Sequence, residues 1–598
     1  MMLRSAHSAS RSNGGSRLLR HRAIPIEQGV FAVDQWVSWC LVLLPALPAL
    51  SAIVAPLGGA GRPARAARIS VTMTAVTCAV ALALLVAVLQ VPKSVVALAQ
   101  LGPATLLLDH LAVAMAVLVA AISLVVHVYS VRYMADEPGY VRFFAKLDLM
   151  TAVILLMVTA ADLVTLMVAW FLIGVLLFFL LGFDTSRKAS GRYALWTFLT
   201  YRIGDLPLVV AALLLWHGYG TAQLPELFAR VNADPGMQLG GMAVVPTAAL
   251  LLALAAFARS AQFLLHTWLP YTMDGPTPVS ALMHAGIVNA GGFLFNRFAP
   301  VFVHAPDALH LAFIVGLVTA LIGSALMLTQ NDVKKSLGYS TMGQMGFMIM
   351  ECGLGAFSLA VYHLIAHGLF KATLFLNAGN VIGDSRREDG VPPDDIYSFV
   401  VERRPLRAVK KVPWLLTALA TVLVPALVLG LSHGMVAADF FHKQGSVVLL
   451  FFGWVTGAQL FFSIHKMPSE SPLRTLTMVL LSFFIVVVGY TLIAHTFEAF
   501  LYPDEELRDA IYAAASINVL AFDTLVVLLT MVLVGAWLAT FYAQTLEFVG
   551  KPGTLWNAVY LNLYALFSRE FYVSVIYTQL ARATLSATKR VNIWLRWV

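Results

Sequence analysis

The sequence has 598 residues, of which 60% are hydrophobic and only 12% charged, whereas a typical soluble domain carries about 25% charged residues. A soluble fold of this length could not hide so much apolar surface, and the net charge of +8 calls for no nucleic acid, because basic loops against anionic lipid account for it. Runs of about 20 apolar residues recur, each long enough to cross a hydrocarbon core of roughly 30 Å as a helix, and they lack the alternation of barrel strands. The class is an all-α polytopic membrane protein in the lipid bilayer.

In chain order, residues 1–33 form a basic tail with Arg4, Arg11, Arg17, Arg20 and Arg22. With no apolar core before about residue 36, it is not a conventional secretory signal; it faintly resembles a transit peptide, and a disordered tail is the expectation. Candidate spans follow near 36–57, 70–91, 105–130, 147–161, 163–183, 194–215, 247–269, 276–297, 308–330, 333–352, 355–382, 412–433, 446–466, 474–496 and 514–541, about 13–15 transmembrane helices given the few-residue tolerance of such boundaries. Basic residues follow the odd-numbered spans: Arg62, Arg65 and Arg68; Arg132, Arg142 and Lys146; Arg187, Lys188 and Arg192; Lys334 and Lys335; the group from Arg386 to Lys411; Lys466; Lys551. The positive-inside rule places these connections in the cytoplasm and the N-terminus outside. The arginines of residues 1–33 oppose that assignment, which a start downstream of Met1 would reconcile. Residues 554–598 space Trp556, Tyr560, Tyr564, Phe567 and Phe571 three and four apart, the pattern of an amphipathic interfacial helix or a docking surface.

Cys40, Cys78 and Cys352 stand singly, with no C-x-x-C motif, and there is no Gly-rich phosphate loop and no haem or flavin signature. No cofactor is expected in this chain, so redox or hydration chemistry would fall to another subunit.

Ionisable residues inside spans are costly and mark ion or substrate pathways. Arg202 and Asp205 stand one turn apart and can neutralise each other. Arg259 and His266, seven apart, return to nearly one helical face, and Pro270, Pro276 and Pro278 then break the helix, as at transporter sites. The next span carries His284, Asn289 and Asn296. His284 is either a hydrogen-bonded packing residue or a proton relay, and its ordinary pKa of about 6.5 suits the latter. His363, His367 and Lys371, spaced four apart, line one helical face. Two His at this spacing can bind zinc, but the Lys one turn on repels a cation, which favours a hydrated proton wire over metal or packing. Lys334 opens the tenth span as relay or snorkelling residue, and His433 is an isolated further candidate.

The runs HTWLPYTMDGPTPVSALMHAG, QNDVKKSLGYSTMGQMGFM and YHLIAHGLFKATLFLNAG resemble the antiporter-like proton-translocating subunits of respiratory complex I and of multisubunit sodium/proton antiporters, from about Met134 to Lys371 and more weakly to Lys466. The resemblance implies two inverted five-helix repeats with broken helices, here 134–297 and 308–466, preceded by helices in 34–133 and followed by helices in 474–541 and the amphipathic segment 554–598. HAGIVNAGGFLFNRFAP is closer to the membrane subunits of DAB-type inorganic carbon accumulation systems. That likeness implies a transporter subunit of the cell inner membrane, not itself an enzyme. It also implies a DabA-like large cytoplasmic zinc-binding partner that converts CO2 to bicarbonate, with a dimer of heterodimers left open. Two departures stand out. Ala169-Trp170-Phe171 replaces the Gly-Trp-Glu of complex I subunits, and Arg259 replaces a Lys before Ser-Ala-Gln. Arg259 then reads as a fixed charge balanced by Asp162 or Asp205 and acting on nearby His284. The expected pathway is His284, Lys334, His363, His367 and Lys371, with Arg259, Asp205 and His433 beside it. The alternatives are a proton-pumping subunit of a quinone-reducing complex I or a sodium/proton antiporter, and a non-conducting scaffold.

Overall fold

Long apolar stretches become helices here because lipid leaves the backbone no hydrogen-bond partner but itself. A computed structural model of the chain describes residues 35–59, 62–91, 96–184, 186–272, 275–378, most of 423–435, 472–516 and 555–595. The first helices are α1 (Gln35–Gly58), α2 (Pro63–Leu89), α3 (His110–Tyr133), α4 (Tyr140–Val158), α5 (Leu163–Leu181), α6 (Lys188–Tyr219), the short α7 (Leu224–Ala233) and α8 (Val244–Arg259). After a break come α9 (Thr277–Leu282), a π-helical turn (Met283–Ile287), α10 (Ala290–Arg297), α11 (Ala299–Phe302), α12 (Pro306–Leu328), α13 (Val333–Gly353) and α14 (Phe357–Ala378). Further on lie α15 (Pro472–Leu501), α16 (Glu505–Ala514), α17 (Leu555–Ser568) and α18 (Val573–Leu595).

Among the described residues nine helices are long and apolar enough to span a membrane. Three other expected spans fall short for visible reasons. α8 has only 16 residues, and α4 and α13 carry polar residues along their length. Carboxylates start several helices: Asp109, Asp162 and Asp332 accept the backbone N–H groups of Ala112, Thr165 and Lys335 at 2.7, 2.7 and 2.8 Å, meeting donors that helix ends leave open. The N-terminal helices are tied by a buried polar network. Ser51 of α1 donates to Asp148 of α4 at 2.8 Å, and the other Asp148 oxygen meets His127 of α3 at 3.1 Å. The α12–α13 contact is a seam of small residues. A Cβ on Gly346 would stand 2.4 Å from the Ala320 nitrogen, and one on Gly316 2.4 Å from that of Met350, so only glycine allows this approach, as is common between membrane helices.

Four expectations change. The span expected from 105 begins instead as a hairpin of β1 (Ala97–Leu101) and β2 (Ala104–Leu108), with Ala97 opposite Leu108. The span expected over 247–269 stops as a helix at Arg259, so Arg259 and His266 share no helical face. The span 276–297 is two short helices around a π-turn. The C-terminal amphipathic segment is two helices, joined by the 3-10 turn Glu570–Tyr572. The expected spans 446–466 and 514–541, and most of 412–433, lie outside the described residues.

Candidate functional site

The break supplies the irregular backbone at membrane depth. From Ser260 to Tyr271 the chain is not helical, and Ala261 and Leu264 take positive φ of 48° and 74°, a conformation that costs a non-glycine residue about 1–3 kcal/mol. Ser260 holds the two sides together: its hydroxyl donates to the Val288 carbonyl at 2.7 Å and accepts the Gly291 N–H at 3.1 Å. Just before the break, Arg259 is 2% exposed, with its guanidinium carbon 4.4 Å from the Trp170 ring and 4.0 Å from the Tyr201 ring. It donates to the Trp170 carbonyl at 2.8 Å and to Asp205 at 3.2 Å. Asp205 also accepts the Trp170 indole N–H at 3.0 Å and pairs with Arg202 at 2.6 Å. Arg202 in turn lies 4.0 Å over the ring of Phe171. This cluster therefore holds two guanidinium groups against one carboxylate and four aromatic faces, the fourth being Phe198, 4.5 Å from Arg202, and arginine charges are fixed.

The second cluster differs in kind. On α13 and α14, His363 meets Glu351 through Nδ1 at 3.1 Å and Gln344 through Nε2 at 2.8 Å. Its ring lies 6.2 Å from that of His367. One turn on, Lys371, 1% exposed, donates to the Ser340 hydroxyl at 2.8 Å. The π-turn brings His284 to the same place, stacked on Phe375 of α14 at 4.1 Å. Gly368 allows that approach, because a Cβ there would stand 2.7 Å from the Ala285 carbonyl oxygen. His284, His363, His367 and Lys371 act on one another electrostatically. Both ring nitrogens of His367 and Nδ1 of His284 are buried without a protein partner. Carboxylate, imidazoles and ammonium in this arrangement can hand a proton along where water joins them.

Elsewhere, a cavity of about 270 Å³ is lined by Asp109, His110, Asn296, Arg297, Tyr502 and Asp504. Tyr502 donates to Asn296 at 2.7 Å, and Arg297 pairs with Asp109 at 2.5 Å. At the lysine-rich end, Lys334 donates to the Thr277 hydroxyl at 3.1 Å, which also meets the Tyr133 hydroxyl at 3.0 Å.

Residues 160–457 match the family described as NADH:quinone oxidoreductase/Mrp antiporter, TM, and residues 103–144 match the complex I chain 5 N-terminus. The chain is 59% identical over 493 residues to the probable inorganic carbon transporter subunit DabB1 of Halothiobacillus neapolitanus, covering 82% of this chain and 88% of the relative. This chain belongs to the DabB family. Likeness to a Synechocystis NAD(P)H-quinone oxidoreductase chain 5 is 41% over 278 residues, spanning 46% of this DabB-family chain but only 40% of that relative. The fold is that of the Mrp complex from Dietzia sp. (TM-score 0.55, 23% identity, 92% of this chain and 63% of that one). It is equally that of the archaeal membrane-bound sulfane sulfur reductase (TM-score 0.56, 18% identity, 80% and 99%).

In this DabB-family structure His284, His363, His367 and Lys371 come together, while Lys334 stands apart at the lysine-rich end. Arg259 and Asp205 form the separate first-half cluster, and His433 lies outside the described residues. Asp162 does not balance Arg259, since it caps α5 and accepts the Thr165 hydroxyl at 2.7 Å. The charge that acts on His284 is that of Lys371 rather than Arg259. Glu351 escaped the sequence reading, and Ser340 and Gln344 stood in it only as a polar run after Lys334 and Lys335, without a role. Their signal was spacing: Ser340, Gln344 and Glu351 recur at four and seven along α13 and so share a face with each other.

Proposed function

We propose that this DabB-family chain is the cation-conducting membrane subunit of an inorganic carbon uptake system of the cell inner membrane. Protons move inward through Glu351, His363, His367, Lys371 and His284 and leave past Lys334. A DabA-like large cytoplasmic zinc-binding subunit, driven by that flux, converts CO2 to bicarbonate. The observation that carries the reading is the row of His363, His367 and Lys371 at four-residue spacing along α14, with Glu351 of α13 against His363 at one end and Ser340-bound Lys371 at the other. The relationship to DabB1 favours the carbon substrate, and the fixed charges around Arg259 leave conduction to the cluster of α13, α14 and His284.

The likeness to quinone oxidoreductase chain 5 supports a second reading, a proton-pumping subunit of a complex I type enzyme. Affinity purification from the native membrane separates the two. One large zinc-containing soluble partner is expected, and quinone-reducing subunits in its place would overturn the carbon-uptake assignment.

A further inference from the structure

The carboxylate of Glu570 is buried to 2% exposure, yet no membrane-crossing helix supplies it. It comes from the turn between α17 and α18 and lies against the break. The Tyr271 hydroxyl donates to its two oxygens at 2.9 and 3.2 Å, and Lys335, in the first turn of α13, pairs with it. The Lys335 ammonium also stands 4.9 Å from the Tyr271 ring centroid. Glu570 is close enough to act electrostatically on His266 and Tyr339, whose rings lie 6.1 Å apart.

The backbone around it is unusual. Glu570, Phe571 and Tyr572 have φ of 56°, 54° and 59°, three successive side-chain-bearing residues in a region that such residues visit singly, at about 1–3 kcal/mol each. Contacts on the break hold this turn in place: Phe571 packs on Phe263 at 5.6 Å, and the Tyr577 hydroxyl donates to the Leu264 carbonyl at 3.0 Å. A segment that served only as cover would be as stable with an apolar pair in place of Lys335 and Glu570, because buried ion pairs seldom add net stability. The turn also faces the end of the relay. Lys371 bonds to Ser340 and to the Leu337 carbonyl. The intervening Gly338 abuts Pro270 so closely that a Cβ would stand 2.9 Å from the Pro270 Cα, and the next residue, Tyr271, holds Glu570.

On the reading that the second half conducts protons, we infer that Glu570 is a working carboxylate of the path, the group that receives the proton leaving Lys371. The Lys371 ammonium gives up a proton through water at the break, and the Glu570 carboxylate takes it as a neutral acid and parts from Lys335. It then releases that proton to water at the lysine-rich end and pairs with Lys335 again.

The test uses the full chain with its partner in proteoliposomes, comparing wild type, Glu570→Gln and the neutral pair Lys335→Gln with Glu570→Gln. The single variant is expected to lose about tenfold or more of the proton flux, as loss of a proton-transfer group does. The neutral pair removes the unpaired lysine, so it is expected to keep the wild-type melting temperature and assembly while its flux stays low. Wild-type flux in either variant overturns the inference and makes the pair a structural clamp. In the unmutated complex under a proton gradient, a hydrophobic carbodiimide, which couples to protonated buried carboxyls, is expected to modify Glu570, and an unmodified Glu570 peptide overturns the inference as well. A wild type that carries no protons overturns the conduction reading itself, an outcome distinct from an active wild type with an active variant.

Discussion

At the level of single residues, the cluster around Arg259 and the cluster around His363 differ in the groups they hold. Phe171 stacks on Arg202, while Asp205, from the next helix, is counter-ion to both Arg202 and Arg259. Asp205→Asn is expected to destabilise the protein by about 3–5 kcal/mol, because it strands the buried Arg259 and the half-buried Arg202, and a thermal melt of the detergent-solubilised complex reads that loss. In the second half, Glu351→Gln preserves the shape beside His363 and removes the charge. Its expected outcome is an unshifted melt with a proton flux lowered by about tenfold or more. The i,i+3 pairing of Arg202 with Asp205 was legible in the sequence. For Arg259 the sequence offered Asp162 or Asp205 and the structure selects Asp205, whereas the Glu351–His363 pair was not legible, because it joins different helices and no spacing along the chain encodes that.

Among the elements, the polar residues depend on departures from regular helix. The expectation that Arg259 and His266 share a face assumed a helical period through the break, and the backbone abandons that period at Ser260. The π-turn at Met283–Ile287 likewise left no mark in the hydropathy pattern, although the proline and glycine residues around it announced an irregular stretch. The hairpin at 97–108 was absorbed into an apolar run, because short buried strands and helix ends look alike in composition. Close packing then sets the site. Gly368→Val would force α14 away from the π-turn, costing about 1–3 kcal/mol by overpacking and separating His284 from His367. Both a lower melting temperature and reduced flux are expected. A variant with wild-type flux would mean that His284 does not share the relay.

For the molecule as a whole, class and family were readable from composition and from three long motifs, since lipid restricts the fold to a few solutions and the motifs are specific. Which buried groups meet was not, because that depends on contacts across helices. The structure sets Arg259 against aromatic rings and Asp205 and gathers His284, His363, His367 and Lys371 in a separate cluster, so Arg259→Lys, which keeps the charge beside Asp205, is expected to leave flux near wild type. The central claim, that the chain from Glu351 to Lys371 carries protons, is tested most directly by proton flux into proteoliposomes containing the complex with His367→Ala and Lys371→Ala combined. The account predicts that flux falls to the level of protein-free vesicles while the complex remains assembled, and flux equal to wild type would contradict it.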